Sequence, residues 1–157
     1  MPIYNSDVAR IFNEIADLLA IEGANTFRVR AYRSAARTVE TLSRPVVDLV
    51  QEGKDLTELE GIGEALASKI EEIVETGELT ALQEIRNRTP PGLAEMLKLS
   101  GLGPKRVQKL YKELNITTLE GLKAAAEAGK IRTLEGLGPK TEQKILAELE
   151  RKRGEEK

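Results

Sequence analysis

The sequence predicts an all-α protein, on three observations. A short phrase built on paired glycines occurs three times, at Leu59-Glu60-Gly61-Ile62-Gly63, Leu99-Ser100-Gly101-Leu102-Gly103 and Leu134-Glu135-Gly136-Leu137-Gly138. Each copy opens a stretch with apolar residues at helical spacing and with a lysine at Lys69, Lys109 or Lys144. No stretch sustains the period-two alternation of a half-buried strand. The expected organisation is a small helical-bundle domain over residues 1–88 that contains the first corner. A second helical domain over residues 89–157 follows, built on the other two.

The elements follow in order. A first helix is expected to be capped near Asn5 or Ser6 and to stop at Gly23, with Val8, Ile11, Phe12, Ile15, Leu18 and Leu19 on one buried face. Thr26 is the expected cap of a second helix over 27–42. At about 100° per residue, Tyr32, Ala35, Val39 and Leu42 share one side of it, while Arg30, Arg33 and Arg37 cluster opposite. A short helix over 46–51 leads to Gly53 and the first corner. In the helix after Gly63, Leu66, Ile70 and Ile73 form the apolar face and Lys69 lies on its flank; Gly77 ends it.

A further helix is expected over 79–88, and Thr89-Pro90-Pro91-Gly92 breaks the chain at the expected domain boundary. Beyond it come a short helix over 93–97 and one over 104–114 that carries Lys105, Lys109 and Lys112 at helical spacing. A helix over 119–128, capped by Thr118 and stopped by Gly129, precedes the last, over 139–151. Residues 151–157 are expected to fray.

Two glycines around one aliphatic residue make a tight turn that bares its own amides, because glycine tolerates positive φ and close approach. Proline then occupies the favoured first helical position at Gly103-Pro104 and Gly138-Pro139. A helix N-terminus with free amides and a positive dipole end attracts phosphate. These words resemble the helix-hairpin-helix motif, which grips a nucleic-acid backbone without reading bases. The plainer reading is a helical bundle that uses the same tight connection. A phosphate-loop nucleotide site is excluded, since no Gly-Lys-Ser/Thr follows any glycine pair.

Composition removes further classes of function. There is no cysteine, hence no disulfide or thiolate metal site, and no histidine, the usual general base and metal ligand. No apolar stretch is long enough to cross a bilayer, and the start Met1-Pro2-Ile3-Tyr4-Asn5 lacks a basic region followed by an apolar run. A cytoplasmic protein without a membrane partner is expected. The formal net charge is −2, but the charge is unevenly placed. Over 27–44, five arginines (Arg28, Arg30, Arg33, Arg37 and Arg44) face Glu40 alone, and over 98–114 Lys98, Lys105, Arg106, Lys109 and Lys112 face Glu113. Over 52–84 acids dominate. Such asymmetry predicts basic patches beside an acidic flank.

Beyond the corners, the order of the words resembles the N-terminal region of family X DNA polymerases of the bacterial and archaeal type, related to DNA polymerase beta. The matching words are Val8-Ala9-Arg10-Ile11-Phe12 with Ile15-Ala16-Asp17-Leu18-Leu19, Phe27-Arg28-Val29-Arg30-Ala31-Tyr32-Arg33-Ser34-Ala35-Ala36, Gly61-Ile62-Gly63 with Ala67-Ser68-Lys69-Ile70, and Thr76-Gly77. Pro90-Pro91-Gly92 before Gly101-Leu102-Gly103-Pro104-Lys105 fits as well.

The resemblance implies a lyase-type domain that binds the 5′-phosphate side of a gap, followed by a hairpin-bearing part. It implies that Lys69 forms a Schiff base with an abasic sugar, which needs an unprotonated amine. Tyr32 matches a pocket residue, and Arg28 a phosphate contact whose load Arg30 and Arg33 share. Phe27 stands where the family has histidine, and Ala65, Glu78 and Ala81 where it has lysines. At the corners, Gly61, Ile62, Gly63, Gly101, Leu102, Gly103, Gly136, Leu137 and Gly138 are expected to meet phosphates, with Lys105, Arg106, Lys109, Lys140 and Lys144 adding charge. The resemblance also places a monovalent cation, Na+ or K+, on the backbone carbonyls of Thr57, Leu59 and Ile62 and of Leu97, Leu99 and Leu102. No other cofactor is required.

Polymerase chemistry in this family needs an Asp-x-Asp pair and a third aspartate for two magnesium ions. The aspartates here are Asp7, Asp17, Asp48 and Asp55, none at that spacing, so this chain is not expected to polymerise by itself. Two readings result. One is a monomeric, nucleoid-associated DNA-binding module of a repair polymerase, engaging gapped, nicked or abasic DNA in base excision repair, with deoxyribose phosphate lyase chemistry at Lys69. The other is a non-enzymatic helix-hairpin-helix scaffold for DNA or protein.

Overall fold

Capping side chains set the start of several helices. A computed structural model describes residues 2–155, in which nine α-helices and two 3-10 turns occur and no strand is found among the described residues. The helices are α1 (Asn5–Glu22), α2 (Thr26–Glu40), α3 (Val46–Gln51), α4 (Glu64–Thr76), α5 (Thr80–Arg88), α6 (Pro91–Met96), α7 (Pro104–Leu114), α8 (Leu119–Glu127) and α9 (Pro139–Glu155). The 3-10 turns are Leu56–Glu58 and Ile131–Thr133. The protein is all-α.

The chain forms two compact units. The first takes the residues up to Ala20 together with Ala24–Asn87; the second takes Ile21–Gly23 and the residues from Arg88 onward. In the first, the predicted stripe of α1 is buried, and Phe12 meets Tyr32 of α2 edge to face, with ring centroids 5.7 Å apart. Ala35, Val39, Ile70 and Ile73 are buried as well. Each such valine or isoleucine contributes roughly 1.5–3 kcal/mol, an alanine less.

Two caps differ from expectation. At α1 the Tyr4 N–H donates to the Asp7 carboxylate at 2.8 Å while the Asp7 N–H donates to the Tyr4 carbonyl at 3.0 Å. That frees the Asn5 side chain, which donates to the Arg44 carbonyl and accepts from the Val46 N–H, tying α1 to the start of α3. At α2 the cap is Asn25, whose side chain accepts from the Phe27 N–H at 2.7 Å, so Thr26 is already helical. That helix ends at Glu40, which leaves Leu42 beyond it and half-buried.

In the second unit, α6 packs against α7 and α8, and α9 against α8 and the Ile131–Thr133 turn. The expected break at Gly92 is instead inside α6, which starts at Pro91. The reason is steric. A Cβ at Gly92 would lie 2.0 Å from the Thr117 carbonyl oxygen, so only glycine lets this helix meet the segment that leads into α8. Thr118 caps α8 as expected, its hydroxyl accepting from the Gly121 N–H at 2.9 Å. Helix α9 runs to Glu155, past the expected end at Arg151; of the tail expected to fray, Glu156 and Lys157 lie outside the described residues.

Gly92→Ala should destabilise the second unit by about 1–3 kcal/mol through overpacking. Gly103→Ala, where nothing lies within 4 Å of an added Cβ, should cost less, about 1 kcal/mol or below, from the poorer helix cap alone. Chemical denaturation followed by circular dichroism checks both.

Candidate nucleic-acid interface

The three corners repeat one geometry. The first glycine has left-handed φ, 76° at Gly61, 84° at Gly101 and 84° at Gly136. The aliphatic residue that follows donates its N–H to the carbonyl three places back: Ile62 to Leu59 at 3.1 Å, Leu102 to Leu99 at 3.3 Å, Leu137 to Leu134 at 3.1 Å. Its side chain is a plug, only 4%, 4% and 3% exposed in the three copies. The second glycine then starts the helix, and its carbonyl accepts from the residue four places on, Ala67, Val107 or Glu142.

The two glycines have different reasons to be there. At Gly61, Gly101 and Gly136 the positive φ requires glycine. Gly63 and Gly103 have ordinary extended dihedrals, φ −89° and −93°, and Gly138 is likewise not left-handed. A Cβ at any of these three would meet nothing within 4 Å. Neither backbone strain nor internal packing accounts for them. What glycine does there is leave space in front of the first-turn amides, which no side chain caps in α4 or α7.

Each tip is braced from behind by a helix of its own unit. In the first unit the Thr38 hydroxyl donates to the Glu60 carbonyl at 2.8 Å. In the second, α7 serves both corners. Arg106 Nη1 donates to the Gly101 carbonyl at 2.8 Å, Arg106 Nη2 to the Gly136 carbonyl at 3.4 Å, and Lys109 Nζ to the Glu135 carbonyl at 2.6 Å. Arg106 and Lys109 therefore sit at the tips themselves. Lys105, Lys140 and Lys144 are exposed on the helices that leave them.

The remaining predicted residues lie in the first unit. Arg28 and Arg30 are exposed on α2, whereas the Arg33 guanidinium is engaged by Asp17 at 2.6 Å. Tyr32 is a core residue, with its ring against Phe12. Lys69 is half-buried on α4. One turn on, the Glu72 carboxyl is held below its usual range, first by the Thr80 N–H, then by the Thr80 hydroxyl, with Lys69 a lesser attraction. Among the described residues no hydrogen bond or ion pair joins Lys69 to Arg28, Arg30 or Tyr32.

The carbonyls to which a monovalent ion was assigned are neutral oxygens. Those of Leu59 and Leu99 each accept one amide of the turn and keep a second lone pair. Among the described residues no group of three or more Asp, Glu, His or Cys could hold a metal ion.

One residue escaped sequence reasoning. Glu142 occupies the position that Ala67 and Val107 fill with apolar groups in the other copies, and it is just 1% exposed. Its carboxylate accepts from the Arg132 N–H at 3.1 Å and from Arg132 Nε and Nη2 at 3.1 and 2.7 Å. The third corner is thus closed by a charge clamp. Aligning the copies reveals the odd acid, but only the fold supplies its partner.

Comparison with known proteins agrees with this geometry. Residues 3–79 match the family described as "Helix-hairpin-helix domain", and residues 93–151 match "SAM-like Helix-hairpin-helix tandem". Over 132 residues the chain is 37% identical to the DNA polymerase/3′-5′ exonuclease PolX of Bacillus subtilis (strain 168), covering 84% of this chain and 22% of that protein. The chain therefore spans about a fifth of the length of the relative it matches.

Arg132's hydrogen bonds hold the Glu142 carboxyl below the usual glutamate range; burial opposes them, and Arg132's backbone N–H and charge help. A carboxyl lowered by folding stabilises the protein fully above its unfolded value and loses that contribution as pH falls through its folded one. Glu142→Gln should therefore show a smaller loss of stability between neutral and acidic pH than wild type, read from thermal melts across that range.

Proposed function

Because the chain belongs to the helix-hairpin-helix region of the family X DNA polymerases, we propose that it is a module that grips the sugar-phosphate backbone of DNA without reading its bases. The observation that carries this is the second glycine of each corner. At Gly63 and Gly103 an exposed, uncapped helix start is left open where neither dihedral strain nor packing asks for it, and Gly138 repeats the open Cβ position in the third copy. A phosphate oxygen is the ligand such an opening fits, since it takes several amide donors and the positive end of a helix dipole at once. The exposed Lys105, Lys140 and Lys144 add long-range attraction.

The finer reading concerns gapped, nicked or abasic DNA in repair. Arg28 and Arg30, exposed near the start of α2, are assigned to the 5′-phosphate side of a gap, and Lys69 to 5′-deoxyribose phosphate lyase chemistry. Its amine would attack the C1′ aldehyde of the opened sugar and expel water to form an imine. Loss of a C2′ proton to solvent would then break the C3′–O bond, and hydrolysis would return the lysine. Lys69 supports that role by its place on the flank of the apolar face of α4, where it is half-buried. Na+ or K+ on the carbonyls of Thr57, Leu59 and Ile62 and of Leu97, Leu99 and Leu102 would add positive charge near the first two corners.

The module acts as a monomer in this reading, in the cytoplasm at the nucleoid. No helix among the described residues is long and apolar enough to cross a membrane. Polymerisation is not assigned to this chain, whose four aspartates include no Asp-x-Asp pair.

Affinity for gapped, nicked and blunt duplexes, measured by fluorescence anisotropy, should fall steeply with salt, each neutralised phosphate adding about 0.9 to the log-log slope. Gly63→Asp, Gly103→Asp and Gly138→Asp keep a good N-cap but occupy the opening with an anion. Each should weaken binding at least about tenfold, one decade being roughly 1.4 kcal/mol, without loss of helicity. Salt-independent binding, or three variants equal to wild type, would reject the backbone grip. Borohydride should trap the protein on abasic-site DNA, and Lys69→Ala should abolish the adduct. Absence of an adduct from neutral to mildly alkaline pH rejects the lyase and favours the non-enzymatic scaffold.

A further inference from the structure

We infer that Arg106 and Lys109 are positioning residues which lock the second and third corners into one two-point phosphate grip. This inference rests on the backbone-binding reading above and adds what makes two corners act as a unit.

The geometry is specific. Gly101 and Gly136 hold the same place in their repeats, and one guanidinium donates to the carbonyls of both, at 2.8 and 3.4 Å. Only arginine offers a rigid planar fork able to span two acceptors in this way. Lys109, one helical turn further along α7, donates to the Glu135 carbonyl at 2.6 Å, and its ammonium would stand 3.6 Å from a Cβ at Gly136. The helix that begins at the second corner thus carries two cations that end on the tip of the third. In the first corner the carbonyl equivalent to that of Glu135 belongs to Glu60 and receives a neutral hydroxyl, from Thr38. The charged brace is confined to the pair of corners that share a unit.

Two consequences follow. The Glu135 carbonyl and the Gly136 N–H belong to one peptide group, so an ammonium on the oxygen polarises that group and strengthens its N–H as a donor. With the spacing of the two turns held, binding at one corner presents the other to the same DNA at high effective concentration. Arg106 and Lys109 would then influence affinity through the third corner rather than by adding two more phosphate contacts.

The test is a double-mutant cycle on the full chain, with a blunt duplex, fluorescence anisotropy and a salt series. Arg106→Lys keeps the charge and loses the fork. A direct, charge-only contact predicts little change, whereas a positioning role predicts at least about tenfold weaker binding and a shallower salt slope. In the Gly138→Asp background, where the third corner is already disabled, Arg106→Lys should cost little more. Lys109→Gln gives an independent arm, with the same non-additivity expected, and circular dichroism checks folding of every variant. Arg106→Lys within twofold of wild type, or single effects that multiply fully in both doubles, overturns the inference while leaving the backbone grip standing. Absence of salt-dependent binding by the wild type overturns both.

Discussion

An aliphatic side chain driven into the core between two glycines is the constraint on which the corners depend. Burying Ile62, Leu102 or Leu137 pulls the chain inward for one residue, and the backbone must reverse tightly on either side. The residue before the plug is thereby forced into left-handed φ, while the residue after it becomes the extended start of a helix. Hydrophobic burial inside the protein and amide exposure outside it are two sides of one turn. The same term that stabilises each unit orients the amides that the helix starts leave open.

Charge is unevenly placed in this chain of formal net charge −2. Many of its cations are consumed internally: Arg33 by Asp17, Arg86 by Glu14, Arg44 by Glu52 and Arg132 by Glu142. Others stay exposed on α2 or on helices that leave a corner, among them Arg28, Arg30, Lys105, Lys140 and Lys144. At the range of a Debye length, about 10 Å in ordinary salt, a ligand responds to that local pattern and hardly to the total.

The corners are built alike but held differently. A neutral hydroxyl braces the first, while arginine and lysine from a single helix brace the second and third. The third also carries a buried carboxylate where its counterparts carry alanine and valine. Hydrogen bonds to charged groups are worth more than neutral ones, and leaving such a group unpaired is costly. The second unit therefore gains a directional polar framework around turns that in the first unit rest mainly on packing.

The sequence by itself determined the helical class, the three corners, their plugs and the buried face of α1, because each is a local pattern: a periodicity, a glycine pair or a proline at a helix start. Those signals act over a few residues and survive without knowledge of the rest. It did not determine that the Tyr32 ring, on the apolar side of α2, meets Phe12 edge to face, or that Asn25 rather than Thr26 caps α2. Gly92 inside a helix, and the commitment of Arg106 and Lys109 to the tips of two corners, were equally hidden. Those outcomes depend on which long side chain or carbonyl arrives from elsewhere in the chain. A lysine or arginine drawn on a helical wheel looks solvated until tertiary structure brings an acceptor within 3 Å, and only then does its charge acquire an address.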